Sequence, residues 1–346
     1  MEYDFRQIKK PLIAWYKKNF RDLPWRKDRI PYHVWISEIM LQQTRVEAVK
    51  DYYMRFLMEC PDIQSLAQLS DERLLKLWEG LGYYNRANNL KKAANVVMDQ
   101  YQGEFPHEYE DVIGLPGIGE YTAGAICSIC YDEATPAVDG NVLRVMTRLS
   151  DWRAVIDEQK TKKLARQMLL DLYEQGDCGL LTQSLMELGA MVCIPNGEPK
   201  CADCPLQMYC RAYTLKNYME LPQRKEKKSR KIQEMTVFIL RCGNEYAIRK
   251  RQAKGLLANM WEFPNINQKM DAKDAMHYIA GQGYEPVELA KMIPYRHIFS
   301  HVEWHMQAYY IECKNKKKDS IWIEQTNFEK EYALPTAFKY FWEQKE

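Results

Sequence analysis

The chain has 346 residues, of which 46% are hydrophobic and 28% are charged, and its formal net charge is +2. This length exceeds the size at which one hydrophobic core usually stops growing, so two domains are predicted, and any surface for nucleic acid must be a local patch. No apolar run approaches the roughly eighteen residues of a membrane span, and the first residues lack a signal-peptide block, so we expect a cytoplasmic protein with reduced thiols.

Helical spacing dominates residues 1–213. Apolar residues three or four positions apart predict helices near the N-terminus, at 66–78 and at 164–172. In residues 31–44, Pro31 is typical of a first helical turn, and Glu38 lies beside an apolar face formed by Val34 and Leu41. A carboxyl group with apolar neighbours is protonated more readily, as a general acid requires, but a surface glutamate beside an apolar stripe gives the same pattern.

Two glycine-containing turns follow. In the first, residues 80–85, Tyr83 and Tyr84 have glycines close by and are either packing aromatics or a wedge for a base stack. The second, residues 115–126, combines Pro116, Gly117 and Gly119 before a predicted helix that starts near Tyr121. A bare backbone at the positive end of a helix favours a phosphate group, so this segment predicts a helical hairpin that grips a nucleic-acid backbone without reading sequence.

Asp139 and Asn141 precede an apolar helical pattern. Either side chain in that position is typical of a helix cap, which by itself explains both residues. Elsewhere, Cys127 and Cys130 fall in an apolar helical stretch and are interpreted as core residues, not a redox pair.

Four of the ten cysteines lie close together in the segment 193–210, at Cys193, Cys201, Cys204 and Cys210. Under reducing conditions this clustering predicts a metal site. Four thiolates hold either a tetrahedral zinc ion or a four-iron, four-sulfur cluster, and the spacing alone does not choose between them.

A basic segment at 222–231 separates two parts of the chain that have different sequence patterns. It is interpreted as a solvated linker, with contact to a phosphate backbone as a second role. After it, Gly243 and Asn244 predict a β-hairpin, residues 301–310 predict a strand with two distinct faces, and residues 274–279 predict a helix. The predicted domains are therefore 1–221, mainly α, and 232–346, α+β.

Taken together, these segments resemble a known family. Residues 115–126, residues 138–142 and the cysteine segment resemble the helix-hairpin-helix DNA glycosylases. Residues 23–26, 37–44 and 80–84 look like the adenine DNA glycosylase (MutY) branch, and residues 256–264 and 299–301 look like its C-terminal domain. The resemblance implies a six-helix barrel with an iron-sulfur cluster domain, followed by a Nudix-like domain that recognises 8-oxoguanine.

The resemblance also implies the chemistry and its residues. The substrate is double-stranded DNA with adenine opposite 8-oxoguanine or guanine; the adenine is flipped out and its N-glycosidic bond is hydrolysed. Glu38 is the general acid and Asp139 stabilises the oxocarbenium sugar, assisted by Tyr121 and Asn141. The remaining implied roles are the adenine pocket (Arg26, Leu41, Gln183), DNA contacts (Gln43, Thr44, Leu81, Tyr83, Gly117, Gly119) and recognition of 8-oxoguanine (Phe299, Ser300, His301).

The same resemblance implies one 4Fe-4S cluster on the four cysteines, although seven residues separate Cys193 from Cys201 where the family usually has six. It further implies a monomeric enzyme, associated with the nucleoid if the source is prokaryotic. A related enzyme type, endonuclease III, attacks the sugar with a lysine where this chain has Tyr121, so we expect base removal without strand cutting.

Two other functions are weighed against this one. A Nudix hydrolase needs a helix rich in glutamate to bind magnesium, whereas residues 265–283 contain no glutamate. A non-enzymatic DNA-binding scaffold would have no use for the pair Glu38 and Asp139.

Overall fold

The computed structural model describes residues 3–226 and 229–345, and these residues form two compact units. The first unit holds the residues up to Gln68 together with Asn89–Glu226, and the second holds Leu69–Asn88 together with the residues after Glu226. The assignment of Leu69–Asn88 to the second unit is not evident from the sequence. The predicted linker contains Lys227 and Lys228, which lie outside the described residues, and its boundaries stay predictions.

The part of the chain before the linker is helical. In chain order the α-helices are α1 (Lys9–Asn19), α2 (Pro31–Leu41), α3 (Val46–Glu59), α4 (Ile63–Gln68), α5 (Asp71–Leu77), α6 (Asn85–Gln100), α7 (Tyr109–Gly114), α8 (Glu120–Tyr131), α9 (Gly140–Ser150), α10 (Gln159–Tyr173), α11 (Cys178–Met191) and α12 (Arg211–Thr214). Short 3-10 helices occur at Phe5–Ile8, Pro24–Arg26, Cys201–Asp203, Gln207–Tyr209 and Tyr218–Glu220.

The predicted helices are confirmed, with one difference. Residues 66–78 contain a break, because Ser70 caps a new helix by accepting a hydrogen bond from the Arg73 amide. Pro31 occupies the first turn of α2, as predicted. Across the described residues, no helix combines the length and the apolar composition needed to cross a membrane.

The core of the first unit lies around α8, α9 and α11, whose side chains are buried on most of their circumference. Close approach of α9 and α11 depends on Gly189, since a β-carbon there would lie 2.7 Å from Cβ of Asn141. Cys127 is fully buried in α8, as the core interpretation requires, whereas Cys130 is half-buried. Burial raises the pKa of both thiols to about 12, so both stay neutral.

The second unit is built on a mixed sheet. Its strands are β1 (Lys231–Cys242), β2 (Glu245–Lys250), β3 (Trp261–Glu262), β4 (Asn265–Ile266), β5 (Pro286–Ile298), β6 (Val302–Cys313) and β7 (Ile321–Glu324). The order is β3-β2-β1-β6-β5, with β4 paired to β1 and β7 to β2; among the strand pairs of the described residues, β1 and β6 alone run parallel. The helices are α13 (Ala272–Gly281), α14 (Gln325–Glu331) and α15 (Thr336–Glu343).

The predicted hairpin at Gly243 and the predicted helix at 274–279 are confirmed by β1–β2 and by α13. The predicted two-faced strand is confirmed only in part. In β6 the half-exposed face ends at Gln307, whereas Tyr309 and Ile311 on that same face are buried in the cluster that includes Ala275 and Ile279 of α13. Residue alternation alone does not reveal a helix that covers one half of a strand.

Candidate active site

A cleft of about 1080 Å³ opens in the first unit between α2, the α7–α8 hairpin, the start of α9 and α11. Eleven residues singled out in the sequence, among others, line this one cleft. They are Arg26, Glu38, Leu41, Gln43, Thr44, Gly117, Gly119, Tyr121, Asp139, Asn141 and Gln183. Tertiary folding thus brings together segments that are separated by up to 157 residues along the chain, from Arg26 to Gln183.

Glu38 is buried within α2, with 6% of its surface exposed, so the surface-glutamate interpretation is wrong. The Tyr121 hydroxyl donates a hydrogen bond of 2.6 Å to Oε2 of Glu38. Burial, together with the smaller effect of the charge of Asp139, raises the pKa of Glu38 to about 7, although the hydrogen bond from Tyr121 and the charge of Arg26 oppose the rise. A carboxyl group with this pKa holds a proton near neutral pH and can donate it.

Asp139 caps α9 and also faces the cleft, so the capping interpretation is confirmed without excluding a second role. Its Oδ1 accepts from the Val142 amide at 2.7 Å, and its Oδ2 accepts from Nδ2 of Asn141 at 2.7 Å. Burial raises the pKa of Asp139, while the donors Val142 and Asn141 and the charge of Arg144 oppose that rise. These donors favour the ionised form, which is the form that stabilises a nearby positive charge.

Arg144 extends this network away from the cleft. Its Nη2 donates to Oδ1 of Asn141 at 2.9 Å and to the Gly189 carbonyl at 2.7 Å, and its Nε donates to the Cys193 carbonyl at 2.7 Å. One turn later, Arg148 donates to Sγ of Cys193 at 3.3 Å. Hydrogen bonds therefore connect the carboxylate of Asp139 with the beginning of the cysteine segment.

Glu187 was missed in the sequence. It is fully buried in α11 and accepts hydrogen bonds from Arg21 and Arg26, each 2.8 Å to Oε2. Burial by itself raises the pKa of Glu187, but the hydrogen bonds from Arg21 and then Arg26 outweigh it and lower the pKa to about 2. A lone acid in the apolar stretch 185–190 is the signal that could have found it, since a buried charge needs a partner.

The three residues predicted for an adenine pocket are held differently. Arg26 is fixed by Glu187 and lies over the Tyr16 ring, 5.7 Å from its centroid. Gln183 accepts a hydrogen bond of 2.7 Å from the Tyr16 hydroxyl, while Leu41 ends α2 and is half-buried. The pocket therefore offers a guanidinium, an amide and an apolar contact, a mixture suited to a planar, polar-edged ligand.

The α7–α8 turn presents an exposed backbone at the N-terminus of α8. Gly117 has φ +81°, a β-carbon there would lie 2.6 Å from Cβ of Asn89, and Gly119 is the N-cap of α8. Both glycines are exposed. At the end of α2, Gln43 has φ +58° and is exposed, and Thr44 is half-buried.

The other predicted DNA contacts belong to the second unit. The Tyr83 hydroxyl and Oγ of Ser300 are 2.8 Å apart, and about half of the Tyr83 surface is exposed. Leu81 is buried, His301 is exposed, and the Phe299 ring packs edge-on against Trp304. The residue predicted to enter the base stack and the residue predicted to read 8-oxoguanine thus touch each other.

The four cysteines line one small cavity with Val145, Arg148 and Leu188. Four thiol groups around one cavity are a donor set that fits a 4Fe-4S cluster and equally a tetrahedral zinc ion.

Comparison with known proteins covers both units. Residues 36–171 match the HhH-GPD superfamily base excision DNA repair protein, and residues 236–344 match the NUDIX domain. The chain is 34% identical over 333 residues to the adenine DNA glycosylase of Buchnera aphidicola subsp. Schizaphis graminum (strain Sg), covering 94% of each protein. It is 31% identical over 399 residues to the adenine DNA glycosylase of Homo sapiens, covering 95% of this chain and 72% of the human protein.

Solved structures agree on the fold of the helical part. A thermostable thymine-DNA glycosylase has a TM-score of 0.55 and 27% identity, over 61% of this chain and 97% of its own. An endonuclease III trapped covalently on DNA has a TM-score of 0.52 and 24% identity, over 62% of this chain and 99% of its own, and shows the fold alone.

Proposed function

Since the chain belongs to the adenine DNA glycosylase family and is a DNA N-glycosylase of base excision repair, we propose that it hydrolyses adenine from duplex DNA where the adenine is mispaired with 8-oxoguanine or guanine. The observation that carries this proposal is a pair of carboxyl groups in one cleft, the buried Glu38 bonded to Tyr121 and the half-buried Asp139 bonded to Asn141. Two carboxyl groups with different partners supply an acid and a charge stabiliser.

Glu38 acts first as the general acid. In its protonated form it transfers a proton to N7 of the flipped adenine, which leaves as a neutral base when the N-glycosidic bond breaks. The resulting Glu38 carboxylate then accepts a proton from the water that adds to the sugar. A pKa of about 7 suits both roles, and such proton transfer contributes about 10²–10⁴-fold to a rate.

Asp139 acts on the sugar. Bond cleavage leaves positive charge on the ring oxygen and C1′, and the carboxylate stabilises that charge, with transient covalent capture as the form that we favour. Removing a comparable charge-stabilising group costs about 10²–10³-fold in rate. Asn141 holds one oxygen of Asp139 in place.

The direct test uses a duplex with adenine opposite 8-oxoguanine. We expect release of free adenine, with the strand cut only after alkali treatment. Glu38→Gln keeps the shape and the binding of this duplex but removes the acid, so it should bind the mispair and release no adenine. Turnover retained by E38Q would remove Glu38 from the acid role.

Base removal without strand cutting is part of the proposal. Tyr121 occupies the position at which a lysine amine would form a Schiff base with the sugar, and a phenol cannot do so. Borohydride should therefore trap no covalent complex with the product strand. Efficient trapping, with strand cleavage in the absence of alkali, would contradict this part while leaving adenine release intact.

Recognition of the opposite base is assigned to the second unit. Ser300 and Tyr83 are in contact and Tyr83 is half exposed, which supports a role at the 8-oxoguanine strand. Ser300→Ala should slow adenine release opposite 8-oxoguanine more than opposite guanine. Equal effects on the two duplexes would argue that Ser300 does not read the oxidised base.

The four cysteines, which line one cavity, would hold one 4Fe-4S cluster through their four thiolates. When bound, the cluster would tie the segment 193–210 together covalently and could exchange an electron. Arg148 would hydrogen-bond to one of its thiolates, that of Cys193. Protein purified without oxygen should contain about four iron and four acid-labile sulfide per chain; stoichiometric zinc without iron would contradict the assignment.

A further inference from the structure

Arg86 occupies an unfavourable place for a cation. It is the second residue of α6, whose first turn carries the positive end of the helix dipole, and only 9% of its surface is exposed. Burial lowers the pKa of its guanidinium to about 10. A charged side chain at such a site needs compensating contacts, and these contacts lie in the turn that precedes the helix.

The turn, residues 80–84, has a backbone that requires support. Gly80 and Gly82 have φ of +98° and +71°, and Tyr83 has φ of +49°, a conformation that residues with a β-carbon rarely adopt. The guanidinium supplies that support, because Nη2 of Arg86 donates to the Leu81 carbonyl at 3.2 Å and to the Gly82 carbonyl at 3.1 Å. These carbonyls belong to the two consecutive peptide groups that immediately precede Tyr83.

The same guanidinium also lies between two aromatic rings. Its central carbon is 5.6 Å from the centroid of the Tyr83 ring and 5.3 Å from that of Trp78. Trp78 is fully buried and donates from Nε1 to the Gly82 carbonyl at 3.1 Å. The half-exposed Tyr83 ring and the buried Trp78 ring therefore both lie within cation–π distance of one guanidinium.

We propose that Arg86 is a positioning residue which holds the Tyr83 ring in the orientation that DNA binding requires, acting through the carbonyls of the turn and through the ring face. This inference rests on the proposed function for the part that concerns DNA. In this inference the planar, delocalised guanidinium of Arg86 determines the orientation of the Tyr83 ring. A lysine at position 86 would reach one carbonyl but would offer no flat face to the two rings.

The test is a double-mutant cycle between Arg86 and Tyr83 with single-turnover adenine release as the readout. Arg86→Met should slow release about tenfold, which is the expected effect of losing hydrogen bonds from a charged donor, and Arg86→Lys should lie between R86M and the wild type. In a Tyr83→Ala background, R86M should add less than a further factor of about two. If R86M slows adenine release by the same factor in the wild-type and the Tyr83→Ala backgrounds, the proposal is overturned.

Arg55→Met is the matched control. Arg55 also lies over a tyrosine ring, that of Tyr52 at 4.6 Å, but on the exposed surface of α3 in the first unit. We expect R55M to leave release unchanged with and without Tyr83. If R86M does not fold, R86K replaces it in the same double-mutant cycle.

A second readout separates this inference from the proposed function. Hydrogen exchange at the amides of residues 80–84, measured in DNA-free protein, should be about tenfold faster in R86M and unchanged in R55M. Unchanged exchange in R86M would overturn the positioning role even if adenine is released normally. Conversely, if the wild-type protein releases no adenine while R86M exchanges faster than the wild type, the proposed function is contradicted and the structural role of Arg86 stands.

Discussion

At the scale of single residues, the site depends on giving similar carboxyl groups different surroundings. Glu38 is buried with one donor, the Tyr121 hydroxyl, and its pKa rises to about 7. Glu187 is buried with two arginines, and its pKa falls to about 2. Solvent exclusion is common to both, so the number and charge of the donors decide which carboxyl can carry a proton at neutral pH.

The raised pKa of Glu38 predicts a pH profile. If the protonated form is active, adenine release should fall as the pH rises through about 7. The hydrogen bond from Tyr121 lowers this pKa, so Tyr121→Phe should move the decline to higher pH, whatever its effect on the maximal rate. Single-turnover rates between pH 5 and 9 check this.

A matched control for that shift is Tyr173→Phe. Tyr173 is a fully buried tyrosine that shares a hydrogen bond of 2.9 Å with Thr182 and does not line the cleft. Its variant should leave the midpoint of the decline in place. A midpoint that stays the same in both variants would mean that the pH dependence does not report Glu38.

The same raised pKa has a consequence for stability. Between about 4.5 and 7, the folded protein holds a proton on Glu38 that the unfolded chain releases. The free energy of unfolding contributed by this group therefore falls as the pH rises through that window. In Glu38→Gln this contribution is absent, so urea unfolding at pH 5 and pH 8 should differ less in E38Q than in the wild type.

Asp139 combines two duties that substitutions can separate. As the cap of α9 it accepts from the Val142 amide, and replacing a cap with alanine costs about 0.5–2 kcal/mol. Asp139→Asn retains an acceptor but loses the charge, so D139N should have nearly the wild-type unfolding temperature and lose activity. D139A should lose both stability and activity. Thermal unfolding and adenine release, measured on the two variants, test this; equal losses of stability would contradict it.

At the scale of elements, the α7–α8 hairpin shows how a turn fixes a binding surface. The positive φ of Gly117 and its contact with Asn89 in α6 leave no space for a side chain, whereas a β-carbon at Gly114 would meet nothing within 4 Å. The turn is therefore determined by one glycine and not by its glycine content as a whole.

Gly117→Ala should destabilise the protein by about 1–3 kcal/mol and weaken binding to duplex DNA of any sequence, because the strained residue moves the exposed turn. The control Gly114→Ala lies at the end of α7 and should be neutral or slightly stabilising. Urea unfolding and binding at two salt concentrations provide the measurement. Unaltered stability in G117A would show that the turn adapts freely.

At the scale of the whole molecule, the two units defined by residue contacts do not coincide with two consecutive halves of the chain. Residues 69–88 interrupt the catalytic part of the chain but pack with C-terminal residues: Lys76 donates to the Tyr332 carbonyl, Glu79 accepts from the Leu334 amide, and Lys250 pairs with Glu72. The segment that carries Tyr83 therefore belongs structurally with Ser300.

A fragment that ends at residue 226 should expose this segment. It removes the C-terminal partners of Lys76, Glu79 and Tyr83, so limited proteolysis should cut within residues 69–88 much faster in the fragment than in the full chain. Cleavage at equal rates would mean that residues 69–88 are stable without their C-terminal contacts.

Much of the fold was accessible from the sequence because its signals are local. Helical spacing located α8 and α10, proline marked the start of α2, and a glycine-asparagine pair marked the β1–β2 turn. The break at Ser70 comes from a local helix cap, which helical spacing alone does not reveal. The covered half of β6 was not predicted, since it depends on packing against α13, which lies outside the strand. Glu187 was missed for the same reason, because its arginine partners are about 160 residues away.

The sequence by itself determined which chemical groups this protein has: a glycine-containing turn, two candidate carboxyl groups, four clustered thiols and the phenol of Tyr121. Only the tertiary structure decided what those groups do to one another. Burial and partners set the pKa of a carboxyl, and long-range packing placed Glu38 beside Tyr121 and Tyr83 beside Ser300. Residue type and spacing are properties of the chain, whereas solvent exclusion and the distance between remote residues exist only after folding.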